Sequence, residues 1–440
     1  MSLGTFQGGV HPYDGKELSK SKALRPVLPK RDLAFLLSQH IGAPAKPIVS
    51  VGDQVKVGQK IAEAGGFVSA SIYSSVSGTV KKIEPRRTAT GAQCDAIIIA
   101  NDNQYEEVEY PKRKPVDQMS GKEIIDAIRE AGVVGMGGAG FPTHVKLSPK
   151  APDQIDVIIA NCAECEPYIT ADYRRMMEHP KELIEGLKII LKLFDQAKAV
   201  LGIEDNKPDC IKTLTDLTKN EKRIEVKALK TKYPQGSERQ LIYAVTGRKV
   251  NSSMLPADAG CIVDNVETII AVYRAVAEGK PLMERTVTIT GPAIAEPSNF
   301  LAKIGTSFED LIEEAGGFSV PPIKCISGGP MMGFALFQTD FPVTKTSSAL
   351  LCLTRDEVAE GKQTNCINCG RCVSVCPSRI VPSRLAKFAE HDDMEAFERW
   401  NGLECVNCGS CSYVCPAKLS LAQAINYMRQ KTLAEKRKKK

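Results

Sequence analysis

The chain has 440 residues, 43% of them hydrophobic and 25% charged, with a net charge of +6 and fifteen cysteines. That length exceeds one ordinary domain, and the composition is that of a folded globular chain rather than a disordered one. No apolar run approaches the roughly 18 residues of a membrane-spanning helix. The opening MSLGTFQGGVHPYDGK lacks the regions of a signal peptide, and no basic patch with interleaved aromatics points to nucleic acid. The expected compartment is the cytoplasm, where disulfides are rare.

Residues 1–30 read as an N-terminal arm. Residues 31–110 read as a small β domain, with short β-rich runs between Gly turns: Val49–Val51, Val55–Val57, Ile61–Ala62, Ser71–Tyr73 and Thr79–Ile83. The stretches VGDQVKVGQKI and SGTV resemble the lipoyl/biotinyl barrel-sandwich fold. Carrier domains of that fold attach their cofactor to a Lys in the central hairpin, and no Lys lies between Lys60 and Lys81. The expectation is a carrier fold used for docking or structure.

Residues 115–284 read as an α/β domain. GKEIIDAIREAGVV, with Ile124, Ile125, Ile128 and Val133 at helical spacing, predicts an amphipathic helix. The following GVVGMGGAGFPTHVKL contains Gly135-x-Gly137-x-x-Gly140, the spacing of a dinucleotide fingerprint. That fingerprint needs a strand before it and a helix opening on its last Gly. Here a helix precedes it and Phe141-Pro142 follows, so the Rossmann context fails. Bare backbone remains, suited to a phosphate or a flat ring. Ile155–Ala160 reads as a buried parallel strand, with Asn161, Glu164 and Glu166 directly after it. CIVDNVETIIAVYRAV reads as a short strand running into a helix.

The C-terminal part, residues 346–430, carries the only internal repeat. Cys366-x₂-Cys369-x₂-Cys372-x₃-Cys376-Pro recurs as Cys405-x₂-Cys408-x₂-Cys411-x₃-Cys415-Pro. This is the two-cluster [4Fe–4S] run, in which the fourth Cys ligates the other cluster. Cys366, Cys369, Cys372 and Cys415 are therefore expected on one cluster, and Cys405, Cys408, Cys411 and Cys376 on the second. The linker, with Leu385, Phe388, Met394 and Phe397 at helical spacing, makes this an α-helical module. LAQAINYMRQKTLAEKRKK after the second run reads as a further helix; residues 431–440 form a basic tail, whose last residues, 436–440, read as solvated and disordered, with attraction to anionic lipid as the sharper alternative.

Several motifs resemble, in order, those of the flavin subunit of respiratory complex I and its hydrogenase relatives. They are Gly135-Met-Gly-Gly-Ala-Gly-Phe-Pro-Thr-His144, Asn161-Cys-Ala-Glu-Cys-Glu-Pro167, Gly236-Ser-Glu-Arg239 and Asp264-Asn-Val-Glu-Thr268. Residues 285–345 resemble the β-grasp soluble-ligand-binding domain that follows. Met136, His144, AECEPY, SERQ and the domain order resemble the C-subunit family of Rnf-type membrane-bound ferredoxin:NAD⁺ oxidoreductases, which move Na⁺ or H⁺.

The resemblance implies a multidomain α/β and α+β fold that binds FMN, NAD(H) and two [4Fe–4S] clusters. It implies that Gly135, Gly137, Gly138 and Gly140 line the flavin through their backbone, with Lys146 as a nearby cation. Asn161 and Glu164 are implied to bond the ribityl chain or ring edge, and Asn265 and Thr268 to reach the flavin from a helix N-terminus. Phe141, Glu166 and Glu238 are implied to contact NADH. No side chain is required as acid or base, so none is expected to be catalytic. The implied partners are the iron–sulfur B-type subunit, the other membrane subunits and, indirectly, ferredoxin. The implied place is peripheral, on the cytoplasmic side of the inner membrane.

Two departures stand out: Ala163 where the family has Asp, and Asp264 where it has Asn. They keep open an iron–sulfur relay without flavin. The flavin subunit of a cobalamin or amino-acid reductase is the other alternative.

Overall fold

The computed structural model describes residues 3–438. The N-terminal arm is not a free extension. Gly4 pairs with the main chain at Ala228 and Lys230, Val10 forms an antiparallel bridge to Tyr233, and Gly9 N donates to Val375 O at 2.8 Å. It ends in strand β1 (Arg25–Val27), which joins a sheet built mainly from residues beyond 284.

The barrel-sandwich domain has two small sheets. One contains β2 (Leu33–Leu36), together with β8 (Gln93–Asn101), β7 (Gly78–Arg87) and β4 (Gln54–Val55); the other contains β3 (Lys46–Pro47), β5 (Lys60–Glu63) and β6 (Ile72–Tyr73). Phe35, Ile61, Ile72, Val80, Ile97 and Ile99 form its dry centre. Val49–Val51 is not a strand. Asp53 accepts from Ser50 N at 2.8 Å and Gly52 sits at φ +98, so the chain turns there and the strand forms earlier, at Lys46–Pro47.

The α/β domain opens with α1 (Gly121–Glu130), fixed by a Ser120–Glu123 capping box and buried through Ile124, Ala127 and Ile128. After α2 (Thr143–Lys146) comes the central strand β9 (Val157–Cys162). Then follow α3 (Ala171–Glu178), α4 (Pro180–Leu191), β10 (Lys198–Glu204), α5 (Pro208–Thr218), β11 (Ile224–Leu229), α6 (Glu238–Thr246), β12 (Cys261–Asn265) and α7 (Val266–Ala277). The sheet is parallel, in the order β11-β10-β9-β12. Ile158 and Ala160 enter the large core shared with α4 and α7, whereas Ile159 packs with Leu241 and Val245 of α6. The strand is buried on both faces, which is why it reads as a continuous apolar run.

The β-grasp part supplies β13 (Glu284–Thr290), β14 (Ser298–Lys303), α8 (Phe308–Glu314), β15 (Lys324–Ser327), β16 (Phe334–Leu336) and β17 (Ala349–Leu353). Its sheet runs β1-β14-β13-β17-β15-β16. A boundary at 345 cuts off β17, and one at 30 separates β1 from its sheet.

The cysteine module contains α9 (Glu357–Glu360), α10 (Arg371–Ser374), α11 (Pro382–Glu390), α12 (Met394–Arg399), α13 (Ser410–Tyr413) and α14 (Leu421–Lys438). The linker between the runs is two helices, because Asp393 accepts from Ala396 N at 2.9 Å and starts α12 afresh. Leu385, Phe397, Ile425 and Met428 form its core. The segment after the second run is helical, as expected, and the helix continues through Lys436–Lys438, where a disordered tail was expected; Lys431 and Lys436 are paired with Asp392 and Glu398. Residues 439–440 lie outside the described residues. Among those described, no helix is long and apolar enough to cross a membrane.

Candidate functional site

The sheet of the α/β domain brings Asn161 and Asn265 into register at the carboxyl ends of neighbouring strands β9 and β12. Over these ends lies the glycine loop, closed at its neck by a Val134–Pro142 bridge and by Gly135 N donating to Phe141 O at 2.8 Å. Met136 N donates to Thr268 Oγ1 at 2.8 Å and thereby pins the loop to the N-terminus of α7. Gly137, at φ +80, packs on Asn265, and a Cβ there would fall 2.9 Å from Nδ2. Gly138 differs: a Cβ there meets no heavy atom within 4 Å. It presents bare backbone to open space, the cradle a flat ring needs.

Gly140 is not part of that cradle. At φ +72 its missing side chain faces Thr346, 2.8 Å from a Cβ, and His40 Cα at 3.0 Å, so it serves the close approach of three domains. The other end of the loop is also held from outside. Lys345 Nζ donates to Gly132 O and Ser71 O, both at 2.6 Å. Lys345 is fully buried, and burial pushes its amine down to about 7.

Lys146 donates to Val263 O at 2.8 Å and to Asp264 Oδ1 at 3.0 Å. Burial acts to lower its pKa, but the Asp264 and Glu238 carboxylates outweigh it and hold the ammonium charged. The charge introduced at Asp264 is thus matched inside the site by Lys146. Asp264 Oδ2 remains buried with no hydrogen-bond partner among the described residues. The Glu238 carboxylate, at the first position of α6, makes no hydrogen bond or ion pair among the described residues. Partial desolvation raises its pKa, with Lys146 opposing. Phe141 is half-buried beside the loop.

Other expected ligand residues have partners within the protein. Asn161 Nδ2 donates to Gly236 O at 2.8 Å. Asn265 caps α7 by accepting from Glu267 N at 2.9 Å, and its Nδ2 donates to Asp172 Oδ2 at 2.7 Å. Glu164 accepts from Asp172 N and Tyr173 N at 2.7 and 3.2 Å, capping α3 rather than facing the glycine loop. Glu166 accepts from Met331 N at 2.7 Å and Met332 N at 3.1 Å. It enters the loop after β15, where Gly329 leaves room, and so is turned to the β-grasp domain.

Sequence reasoning missed several residues. Glu267 is buried between Arg175 and Arg285; burial opposes its ionisation, but the arginines hold its carboxyl down to about 2. Asp172 is pushed up to about 7 by burial and by the nearby Glu164 and Glu267 carboxylates. Lys16 reaches from the arm to the carbonyls of Glu166 and Ile169. Nothing in the local patterns marks these residues; their partners lie far away in the chain.

Cys366, Cys369, Cys372 and Cys415 line one cavity of about 110 Å³. Cys411 has Cys405, Cys408 and Cys376 as its electrostatic neighbours; burial pushes its thiol up to about 12 and that of Cys405 up to about 11. Among the described residues no three His, Cys, Asp or Glu converge as on a single metal ion. The first four thiols line a cavity rather than meet at a point. Cys408 packs with Tyr233, Cys165 and Met331, so the second group abuts the α/β domain, whereas Cys369 of the first is exposed.

Four family profiles match in order: "RnfC Barrel sandwich hybrid domain" over residues 4–104, "Nuo51 FMN-binding domain" over 128–274, "SLBB domain" over 286–335 and "4Fe-4S dicluster domain" over 365–419. The chain is 48% identical to the C subunit of the proton-translocating ferredoxin:NAD(+) oxidoreductase complex of Clostridium ljungdahlii, over 98% of this chain and 95% of that one. The chain belongs to the C-subunit family of these complexes. The C subunit of the Na(+)-translocating complex of Acetobacterium woodii is 42% identical over 99% of this chain and 98% of its own length.

The protein also shares its fold with a chain from the crystal structure of an NAD+-reducing [NiFe]-hydrogenase. The TM-score is 0.51 at 18% identity, covering 73% of this chain and 62% of that one. The four profiles follow one another in the domain order that the resemblance implied, with the barrel-sandwich ahead of the flavin domain.

Proposed function

We propose that this protein passes electrons between two [4Fe–4S] clusters, FMN and NAD(H), within a ferredoxin:NAD⁺ oxidoreductase complex that couples the transfer to Na⁺ or H⁺ movement. The observation that carries this reading is the packing of the Cys408 thiol group against the α/β domain, through Tyr233 and Cys165, with Met331 of the β-grasp domain beside them. One thiol group thereby lies against the flavin domain while the other reaches the surface.

FMN, when bound, exchanges two electrons with a nicotinamide and single electrons with a cluster. The chain's own residues position and shield. Gly138 and its neighbours Gly135 and Gly137 offer the flat backbone face, held in place by Thr268. The N-terminus of α7 offers main-chain N–H groups to a phosphate. Glu238 is the carboxylate left to accept from ribose hydroxyls or a carboxamide, and Phe141 offers a ring for adenine. Lys146 and Asp264 keep the floor of the site electrically balanced. Asn161, Asn265 and Glu164 hold the strand ends and helix starts in position; Glu166 and Gly140 tie the site to its neighbouring domains. No acid or base is assigned.

Cys366, Cys369, Cys372 and Cys415 hold the outer cluster; Cys405, Cys408, Cys411 and Cys376 hold the inner one. The outer cluster faces the iron–sulfur B-type subunit, which ferredoxin supplies, and the protein is peripheral on the cytoplasmic face of the inner membrane. The domains are the arm, the barrel-sandwich at 31–110, the flavin domain at 115–284, the β-grasp extended to residue 353, and the cluster module beyond it.

The deciding experiment is anaerobic reconstitution with iron and sulfide, followed by titration with FMN. Two clusters by iron count and EPR, saturable quenching of FMN fluorescence, and bleaching of the clusters by NADH only when FMN is present are the expected results. Clusters that form while FMN fails to bind would leave the flavin-free relay as the better description.

A further inference from the structure

The β-grasp sheet places side by side two cysteines that no role above uses. Cys325 in β15 and Cys352 in β17 face each other across an antiparallel ladder. Gly328 N donates to Ala349 O at 2.8 Å, which marks a hydrogen-bonded pair. Pairs alternate along the ladder, and Cys325 lies an odd number of positions back (328 − 325 = 3), so Cys325 and Cys352 form a non-hydrogen-bonded pair. At such pairs the Cα atoms are about 4.5 Å apart and side chains approach closest. That separation falls within the range of about 4.4–6.8 Å that a disulfide spans.

The two sulfurs stand 3.6 Å apart and share a hydrogen bond. Cys352 is fully buried, whereas Cys325 is only partly buried. The shared hydrogen bond lowers the pKa of Cys325, and together with burial it raises that of Cys352. One thiol is thus accessible and more readily ionised, and the other is sheltered behind it. That is the arrangement of an attacking and a resolving cysteine.

We propose that Cys325 and Cys352 form a reversible dithiol–disulfide pair that exchanges with small disulfides of the glutathione class. The Cys325 thiolate attacks one sulfur of the oxidant, forming a mixed disulfide and releasing one thiolate. The Cys352 sulfur, giving up its proton, then attacks Cys325 and displaces the second thiolate. Two protein thiols are oxidised, the small disulfide is reduced to two thiols, and two electrons leave the protein. β15 leads straight into the loop whose Met331 and Met332 amides hold Glu166, and Met331 O would lie 3.0 Å from a Cβ at Gly409, beside Cys408. The pair therefore sits at the root of the strap between the flavin domain and the inner thiol group.

The test treats the cluster-loaded protein with oxidised glutathione under anaerobic conditions, alkylates free thiols, and maps peptides by mass spectrometry while iron content is followed. A Cys325–Cys352 linked peptide that disappears with dithiothreitol, at unchanged iron content, is the expected result. In Cys352→Ala the intermediate should be trapped as a glutathione adduct on Cys325, and in Cys325→Ser the alkylating agent should find Cys352 unmodified. Full alkylation of both cysteines in the oxidant-treated wild-type protein would overturn the proposal. So would a stable Cys325 adduct in the presence of Cys352.

Discussion

Replacing Gly138 with Val should cost flavin binding without costing the fold. Gly138 is not in the left-handed region, and a Cβ there meets nothing within 4 Å, so the apo protein accommodates the side chain. Restricting a glycine in the unfolded chain even favours folding, by about 0.4–1 kcal/mol at a compatible position. In the loaded protein the added methyls occupy the space assigned to the ring. Overpacking of this kind costs about 1–3 kcal/mol, which is roughly a fivefold to 150-fold weaker FMN affinity. Gly140→Val is the control, because at φ +72 with Thr346 2.8 Å from a Cβ it should destabilise the fold itself. FMN fluorescence titration and urea unfolding of both variants separate the two effects. A Gly138→Val protein with wild-type FMN affinity would refute the assignment of this backbone face to the flavin.

Cys415→Ser should abolish the EPR signal of the cluster in the first run and spare the second, while Cys376→Ser should do the reverse; uncrossed losses would undo the ligand pairing. Lys345→Met should flatten part of the pH dependence of stability. Burial lowers the Lys345 pKa to about 7, so from there to about 10.4 the unfolded chain holds a proton that the folded chain has shed, and stability rises with pH. The difference is on the order of 4 kcal/mol across that window and is fully lost below about pH 7; urea unfolding of wild type and variant across pH should show it, and parallel profiles would contradict it. Glu166→Ala should loosen the β-grasp strap by about 1–3 kcal/mol, seen as faster proteolysis after Met331, with FMN affinity kept; a selective rise in the KM for NADH would instead return Glu166 to the nicotinamide.

What could be read in the sequence was whatever depends on near neighbours. Helical spacing before the glycine loop and Pro142 after it were enough to reject a Rossmann turn, and the apolar run at Ile155–Ala160 marked the central strand. The repeated cysteine spacing was enough to expect Cys415 beside the first run, and it lines the same cavity as Cys366, Cys369 and Cys372. The commitments of polar side chains were not readable, because Glu166 meets Met331 and Asn265 meets Asp172 only through the tertiary fold. Lys345 sits in an ordinary polar stretch, TKTSS, with nothing to announce its burial. Val49–Val51 had strand composition, but Asp53 and Gly52 turned the chain there. The last helix was legible in LAQAINYMRQKTLAEKRKK, and the structure carries it through Lys438.

The arm also imposes a timetable on assembly. The ribosome delivers it before β11, β14 and Val375, all of which it must bind. Domains close around their own cores as they emerge, so the barrel-sandwich and most of the flavin domain can be finished while the arm still waits. Its latest attachments, Gly9 to Val375 and Gln7 to Arg379, span most of the chain, yet the entropy of closing so long a loop grows only with the logarithm of its length. The arm is thus fastened in steps: a nascent chain halted before Val375 already holds the partners of Gly4, Val10 and β1, and only the stretch around Gly9 waits for the cysteine module.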